Sequence, residues 1–163
     1  FPHSTPMVNL NLTNYPGRPG GSEIQGESAL DMCLYDGKNS ASTRVYLRFE
    51  DDGFAATGRA DGAFSVRRRG GSQTEARDRL DYQVTVINPV TGAAETAANG
   101  KTLIWQGTND PQYLRQVVLP GGRESVLCVP APIILKTPAF AASSKNAGDY
   151  TGTLRVIYTP STL

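Results

Sequence analysis

The sequence predicts an all-β protein built as a sandwich of two packed sheets. About eight or nine short segments alternate apolar with polar side chains at every second residue, which is typical of β-strands. Turns rich in glycine, proline and asparagine separate these segments, and no amphipathic helix longer than about two turns is predicted. Because each strand gives alternate residues to one face, the pattern favours a core shared between two sheets.

The length and charge of the chain exclude several classes of protein. Its 163 residues are the size of one domain, and no apolar run reaches about 18 residues, so no membrane-spanning helix is predicted. Sixteen basic and fifteen acidic residues give a net charge of +1, so we expect no nucleic-acid partner. Residues 1–6 lack the basic and apolar start of a signal peptide, so we expect a mature product or an excised fragment.

The strands can be placed in order along the chain. They are predicted at residues 7–12, 29–35, 43–49, 63–66, 80–87, 102–105, 113–119, 126–135 and 150–158. In the first strand, Val8, Leu10 and Leu12 share one face. Pro130 and Pro132 should bend the eighth strand or leave it paired on one side only. The nearest architecture is an immunoglobulin-like sandwich.

The last predicted strand, residues 150–158, is the main functional candidate. Leu154, Val156 and Tyr158 lie on its apolar face, so it should be a core strand. Pro160 cannot donate to a ladder and the given sequence stops three residues later, so we expect a neighbouring strand to be missing. An unfinished edge beside an apolar stripe is a template for another chain. The alternative is a strand that simply ends a complete sandwich at a sheet edge.

The two cysteines, Cys33 and Cys128, both lie in strand-like segments. They have no CxxC spacing, and His3 is the single histidine and lies far from both, so a metal site is a poor alternative. A disulfide is the favoured interpretation, and it would imply that the protein matures in an oxidising compartment.

No catalytic site is predicted. A Ser/His/Asp triad would depend on His3, which lies among prolines near the terminus. The acidic residues 50–52 lack the spacing of a calcium loop and are interpreted as a solvated turn. The arginines at residues 67–69 are interpreted as a mobile, charged hairpin tip. We therefore expect no enzymatic activity, no metal and no cofactor.

Several segments, in order along the chain, resemble a known family. They are residues 8–12, 29–37, 46–52, 126–130 and 148–161. The resemblance is to the pilin domain of the tip adhesins of class 5 (alpha) fimbriae, the CfaE/CblD family. It covers residues 7–163, is weakest at 54–79, and is most specific at the Asp-Met-Cys-x-Tyr-Asp-Gly string of residues 31–37 and at the C-terminal ending. The Ala- and Arg-rich middle favours the cable-pilus branch of this family.

This resemblance implies an incomplete fold. The sandwich would lack its final G strand and would be completed by donor-strand complementation. Residues 1–163 would form the pilin (assembly) domain, with residues 1–6 as a linker from an absent adhesin domain upstream. The resemblance also supports the Cys33–Cys128 disulfide. The donor-strand groove would be lined on its two sides by Leu154, Val156 and Tyr158, and by Val8, Leu10 and Leu12.

The resemblance also implies partners and a location. A periplasmic chaperone would fill the groove first, and the N-terminal extension of the major pilin subunit would replace it. Assembly would involve an outer-membrane usher, and the upstream adhesin domain of the same polypeptide would be anchored by this one. Residues 1–6 contain two prolines and no alternating apolar run, so they would make a poor donor strand. A protein of this kind belongs at the fimbrial tip, on the cell surface, after export through the periplasm.

A second function of a different class stays open at this point. A carbohydrate-binding β-sandwich could contact a host glycan through an aromatic platform and nearby cations. Trp105, Tyr113 and the arginines of residues 67–69 would form that site. Glycan binding that is lost in Trp105→Ala would favour this alternative over the assembly function.

Overall fold

The computed structural model describes residues 6–14, 23–35, 44–52, 58–119 and 121–161. Thirteen strands and three short 3-10 helices lie in these ranges, and none of the described residues is in an α-helix. The strands are β1 (Thr13–Asn14), β2 (Glu23–Leu30), β3 (Cys33–Leu34), β4 (Arg44–Asp51), β5 (Phe64–Arg68), β6 (Arg79–Ile87), β7 (Ala94–Ala97), β8 (Thr102–Gln106), β9 (Arg115–Val118), β10 (Ser125–Pro130), β11 (Ile133–Ala141), β12 (Tyr150–Thr151) and β13 (Leu154–Ser161). The 3-10 helices are Ala76–Asp78, Pro111–Tyr113 and Ala142–Ser144. The all-β prediction is confirmed.

The strands form three antiparallel sheets. The largest has the order β1-β2-β11-β6-β5-β12, with β7 also paired to β6. The second has the order β3-β10-β9, and the third has the order β13-β4-β8. Strands that are distant in sequence are therefore neighbours, so the fold depends on long-range pairing, as sandwich topologies do.

The core is built where β4 packs against the large sheet. Val45, Leu47 and Phe49 of β4 are at most 1% exposed and alternate with partly exposed residues. They join one apolar cluster with inward-facing residues of β6 and β11 such as Val84 and Ile133. This is the alternation that the sequence predicts for a strand with one wet face. The sandwich arrangement therefore follows directly from the side-chain pattern of its central strands.

The segment at residues 126–135 is two strands that belong to different sheets. β10 ends at Pro130 beside β3, and β11 begins at Ile133 in the large sheet. Between them, the N–H of Ala131 donates to the carbonyl oxygen of Met32 over 2.8 Å. Prolines lack the N–H that a continuous ladder needs. The predicted bend is confirmed, and it carries the chain from one sheet to another.

A disulfide joins Cys33 of β3 to Cys128 of β10, with 5.4 Å between the two Cα atoms. The two strands are adjacent, and Cys33 stands opposite Pro130 in their register. Cys128 is 1% exposed, so the cross-link is shielded from solvent on that side. A disulfide between residues this far apart in sequence stabilises a fold by about 2–4 kcal/mol. The pairing predicted from the sequence is thus present in the fold.

The strand predicted at residues 7–12 is wrong. The backbone of Asn11 has a φ of 54°, and its N–H donates to Oδ1 of Asn9 over 2.8 Å. This local turn ends the extended geometry that alternation requires, since asparagine tolerates the left-handed region and can bond its own backbone. Leu12 is consequently 43% exposed, and the first strand is β1 instead.

The strand predicted at residues 29–35 is displaced and broken. β2 begins at Glu23, and a break at residues 31–32 separates it from β3. Its first half has few apolar side chains and contains Gly26, so it carries little periodic signal. A Cβ at Gly26 would clash with the carbonyl oxygen of Leu10. The glycine therefore allows the N-terminal segment to lie close against β2.

The predicted last strand is also split in two. β12 pairs with β5, placing Thr151 opposite Arg67, whereas β13 pairs with β4. The chain changes sheet at Gly152, where a Cβ would lie 3.2 Å from the carbonyl oxygen of Ser65. A side chain at this position would be crowded by β5. The crossing at Gly152 brings β13 to the edge of the sheet β13-β4-β8.

Candidate functional site

The candidate site is the outer edge of β13. This strand pairs with β4 along its whole length, from Leu154 opposite Asp51 to Ser161 opposite Arg44. Within the described ranges, no strand pairs with the opposite edge of β13. An edge strand presents backbone N–H and C=O groups that can form a ladder with another strand. This edge can therefore accept an added strand.

The inward face of β13 is apolar but incompletely buried. In the register, Val156 stands opposite Phe49 and Tyr158 opposite Leu47, and both of these β4 residues are 0% exposed. Leu154, Val156 and Tyr158 pack against the same core cluster, yet each is only of intermediate burial. The contrast between the two strands follows from their positions, since β4 has a neighbour on both sides. Part of the apolar area of β13 is therefore exposed.

The N-terminal segment contributes to the same core. Val8 and Leu10 are partly buried and pack against the core cluster that β13 contacts. Leu12 is not in that cluster and is 43% exposed, because the turn at Asn11 redirects it. Five of the six residues predicted to line a groove therefore contact one core, from two separate segments of the chain.

A buried polar cluster lies at the start of β13. Asp51, 8% exposed, accepts hydrogen bonds from Arg59 at 3.0 Å, from the N–H of Ser65 at 2.9 Å, and from the amide of Asn99 at 2.8 Å. The solvated turn predicted at residues 50–52 is wrong for Asp51, which belongs to β4 and points inward, whereas Asp52 is exposed in a bend after the strand. A buried carboxylate is tolerated when it is paired and hydrogen-bonded. This cluster ties β4 to β5 and closes that end of the core.

A second polar cluster holds the chain that leads into β12. Asp78, 3% exposed, accepts hydrogen bonds from Arg68 Nε at 2.7 Å, from the amide of Asn146 at 2.8 Å, and from the N–H of Ser72 at 2.8 Å. The mobile hairpin tip predicted at residues 67–69 is wrong for Arg68, which lies in β5 and forms this ion pair. The hydrogen bonds from Arg68, Asn146 and Ser72 lower the pKa of Asp78 to about 2.

This lowered pKa predicts acid sensitivity. Asp78 has an ordinary pKa of 3.8 and a folded value of about 2, so between these pH values the unfolded chain binds a proton that the folded chain does not. We expect the free energy of unfolding to fall as the pH drops through this window. Urea denaturation at several pH values measures the slope of the free energy of unfolding against pH. We expect this slope to be shallower in Arg68→Gln.

The matched control is Arg69→Gln, which removes an exposed neighbouring guanidinium. We expect its slope to equal that of the unmodified chain, because Arg69 is not among the causes that lower the pKa of Asp78. Identical slopes in Arg68→Gln and Arg69→Gln would show that the Arg68–Asp78 pair does not cause the acid sensitivity.

The alternative carbohydrate site is not assembled. Trp105 is 2% exposed, and its Nε1–H donates to Glu95 Oε2 over 2.8 Å, so the indole is part of the core and offers no face to a sugar. Tyr113 lies in a 3-10 helix, and residues 67 and 68 lie in β5 of another sheet. A buried Trp105 removes the aromatic platform on which that hypothesis depended.

Other kinds of site have little support in the described part of the chain. Its residues include no group of three or more His, Cys, Asp or Glu side chains that could hold a metal ion, and His3 lies outside it. None of its helices is long and apolar enough to cross a membrane. A polar cleft of about 430 Å³ lies where the chain leaves β12. Its walls are Asp52, Ser65, Arg67, Gln73, Thr151, Gly152 and Thr153.

Sequence comparison finds relatives among fimbrial proteins. A family model that describes the second domain of the CFA/I fimbrial protein CfaE matches residues 1–162. The corresponding CFA/I fimbrial protein of Escherichia coli is 30% identical over 162 residues, a match that covers 97% of this chain and 40% of that protein. This chain therefore spans about two-fifths of the length of that relative.

Structural comparison finds the same proteins. One similar structure is a point mutant of the enterotoxigenic E. coli CFA/I adhesin CfaE. The match covers 99% of this chain and 41% of the CfaE chain, with a TM-score of 0.74 and 25% identity. For unmutated CfaE, the adhesive component of the CFA/I fimbria, the match covers 96% of this chain and 40% of the CfaE chain, with a TM-score of 0.72 and 25% identity. For a chain of a CFA/I chaperone–tip adhesin complex, the match covers 94% of this chain and 39% of that chain, with a TM-score of 0.63 and 26% identity. These similarities confirm the immunoglobulin-like fold.

Proposed function

This chain belongs to the family of the second domain of the CFA/I fimbrial protein CfaE, and from that membership we propose that it is an assembly domain that accepts a donor strand along β13. The observation that carries the proposal is the edge position of β13 together with the half-buried Leu154 and Val156 on its inward face. A fimbrial protein must bind its neighbour in the fibre. Strand addition to an open sheet edge provides such a contact without catalysis.

The physical basis of the binding has two parts. A donor strand forms main-chain hydrogen bonds along the edge of β13, and its alternate side chains cover the apolar face. The proposed groove is bordered by Leu154, Val156 and Tyr158 on β13 and by Val8 and Leu10 on the N-terminal segment, without Leu12, which is exposed and outside the core cluster. Each large apolar side chain that the donor buries contributes about 1.5–3 kcal/mol. Several such side chains give a durable contact.

The proposed partners follow from the same mechanism. A periplasmic chaperone occupies the groove first, and the N-terminal extension of the major pilin subunit replaces it at an outer-membrane usher. One similar structure is a chaperone–tip adhesin complex, which supports a chaperone as partner here. Residues 1–6 act as a linker to an upstream adhesin domain of the same polypeptide. The domain is exported through the periplasm and anchors that adhesin at the fimbrial tip.

A synthetic peptide tests this function. We expect a peptide of alternating Val and Thr, eight residues long like β13, to raise the thermal denaturation midpoint of the chain. A ligand that binds only the folded state stabilises it by about 2.7 kcal/mol at 100 times its Kd. The control peptide has proline at every second position and cannot form the ladder. Equal midpoints with both peptides would refute the proposed function.

A further inference from the structure

The outer face of the sheet β13-β4-β8 carries excess positive charge beside the edge of β13 that faces away from β4. Arg155 points away from the core and stands opposite Glu50, while Ile157 stands opposite Arg48. Glu50 lies between two guanidinium groups, with Oε2 3.5 Å from Arg48 Nε and Oε1 3.6 Å from Arg155 Nε. Arg48, Glu50 and Arg155 thus form a row in which one carboxylate pairs with two guanidinium groups. One positive charge in this row is left without a carboxylate.

Arg155 is the member of this row that lies on the edge strand. Its side chain is 51% exposed, and Nη2 makes a long hydrogen bond of 3.4 Å to the carbonyl oxygen of Asp51. A guanidinium has five N–H donors in a rigid fork that matches a carboxylate. Its contacts with Glu50 and Asp51 are both long, so a closer carboxylate on the open side can compete for these donors.

We propose that Arg155 selects donor strands that carry a carboxylate at the outward-facing position beside it. The proposal rests on the proposed function and names the partner's chemistry: an extended segment with apolar inward residues and an Asp or Glu outward. Side chains directly opposite each other on paired strands lie about 5 Å apart at Cβ, within reach of an ion pair. A carboxylate there would continue the row Arg48–Glu50–Arg155 with alternating charge.

A second copy of this chain is a poorer occupant of the same edge. The outward-facing residues of β13 are Arg155, Ile157 and Thr159, and none of them is acidic. Pairing two β13 edges would therefore supply no carboxylate to Arg155. Like charges that face each other across a sheet are destabilising, so an acidic donor is favoured over self-pairing.

Peptide binding measures this selection. We would label the eight-residue Val/Thr peptide and replace one outward Thr at a time with Glu or Lys, then measure Kd with the full 163-residue chain by fluorescence anisotropy. At one position we expect Glu to tighten binding by about 2–5-fold over Thr, and Lys to weaken it similarly. Arg155→Gln should abolish both differences, whereas Arg115→Gln, an exposed arginine on β9, should preserve them.

Each outcome decides a separate question. Peptides that bind equally well whatever their outward charge would overturn the selection by Arg155 and leave the proposed function standing. If no peptide binds, the proposed function fails as well. A glutamate preference that persists in Arg155→Gln would assign the selection to another residue. A dimer whose formation blocks peptide binding would assign the edge to a second copy, against the proposal.

Discussion

Val156→Asp is expected to abolish the binding of the Val/Thr peptide to β13. Val156 stands opposite the fully buried Phe49 and packs against the core cluster. A strand added at this edge would cover the new carboxylate without giving it a partner, at a cost of about 3 kcal/mol or more, which corresponds to at least roughly a 100-fold rise in Kd. Leu154→Asp should behave in the same way.

The matched control is Ile157→Asp on the same strand. Ile157 lies on the opposite face, across from Arg48, where a carboxylate meets a cation instead of the core. We expect this variant to bind the uncharged peptide with nearly unchanged Kd, and both Val156→Asp and Ile157→Asp can be compared for incorporation into fimbriae. A loss in Ile157→Asp as large as that in Val156→Asp would show that the inward face of β13 is not the binding surface.

The parts of the fold that the sequence predicts well are those whose two faces differ strongly. β4 along its whole length and β6 from Leu80 onward alternate buried residues with partly or fully exposed ones, so their period is visible without any knowledge of neighbours. β7 contains the sequence Ala-Glu-Thr-Ala, and its single buried residue is Ala97. Such a strand has almost no apolar signal, and its existence depends on its partner β6, which the sequence does not reveal.

Two buried residues were misjudged although the alternation of their strands indicates them. Asp51 continues the inward series of Val45, Leu47 and Phe49 on β4, so its position in the strand places it in the core despite its charge. Trp105 is the buried residue of β8. The charge of Asp51 suggested exposure, and the alternative carbohydrate site required exposure of Trp105, whereas the two-residue period of each strand is consistent with burial. The partners Arg59 and Glu95 that make this burial possible come from elsewhere in the chain.

The candidate site shows how one backbone angle limits prediction. Val8, Leu10 and Leu12 have the spacing of a strand face, but the left-handed φ of Asn11 reverses the direction of Leu12. Asparagine is common in both loops and strand edges, so the sequence does not reveal this turn. On β13, where the backbone stays extended from Leu154 onward, alternate residues share a face as predicted.

Asp51→Ala is expected to lower the free energy of unfolding by about 3–5 kcal/mol, the usual cost of removing one partner from a buried ion pair. The substitution leaves the guanidinium of Arg59, whose side chain is 12% exposed, and the N–H of Ser65 without the acceptor they share. Because Asp51 stands opposite Leu154, the loss also loosens the end of β4 that positions β13.

Asp52→Ala, at the exposed neighbour, should change stability by no more than about 0.5 kcal/mol. Urea denaturation of both variants distinguishes them, and equal, small changes would mean that the buried cluster does not hold β4 to β5.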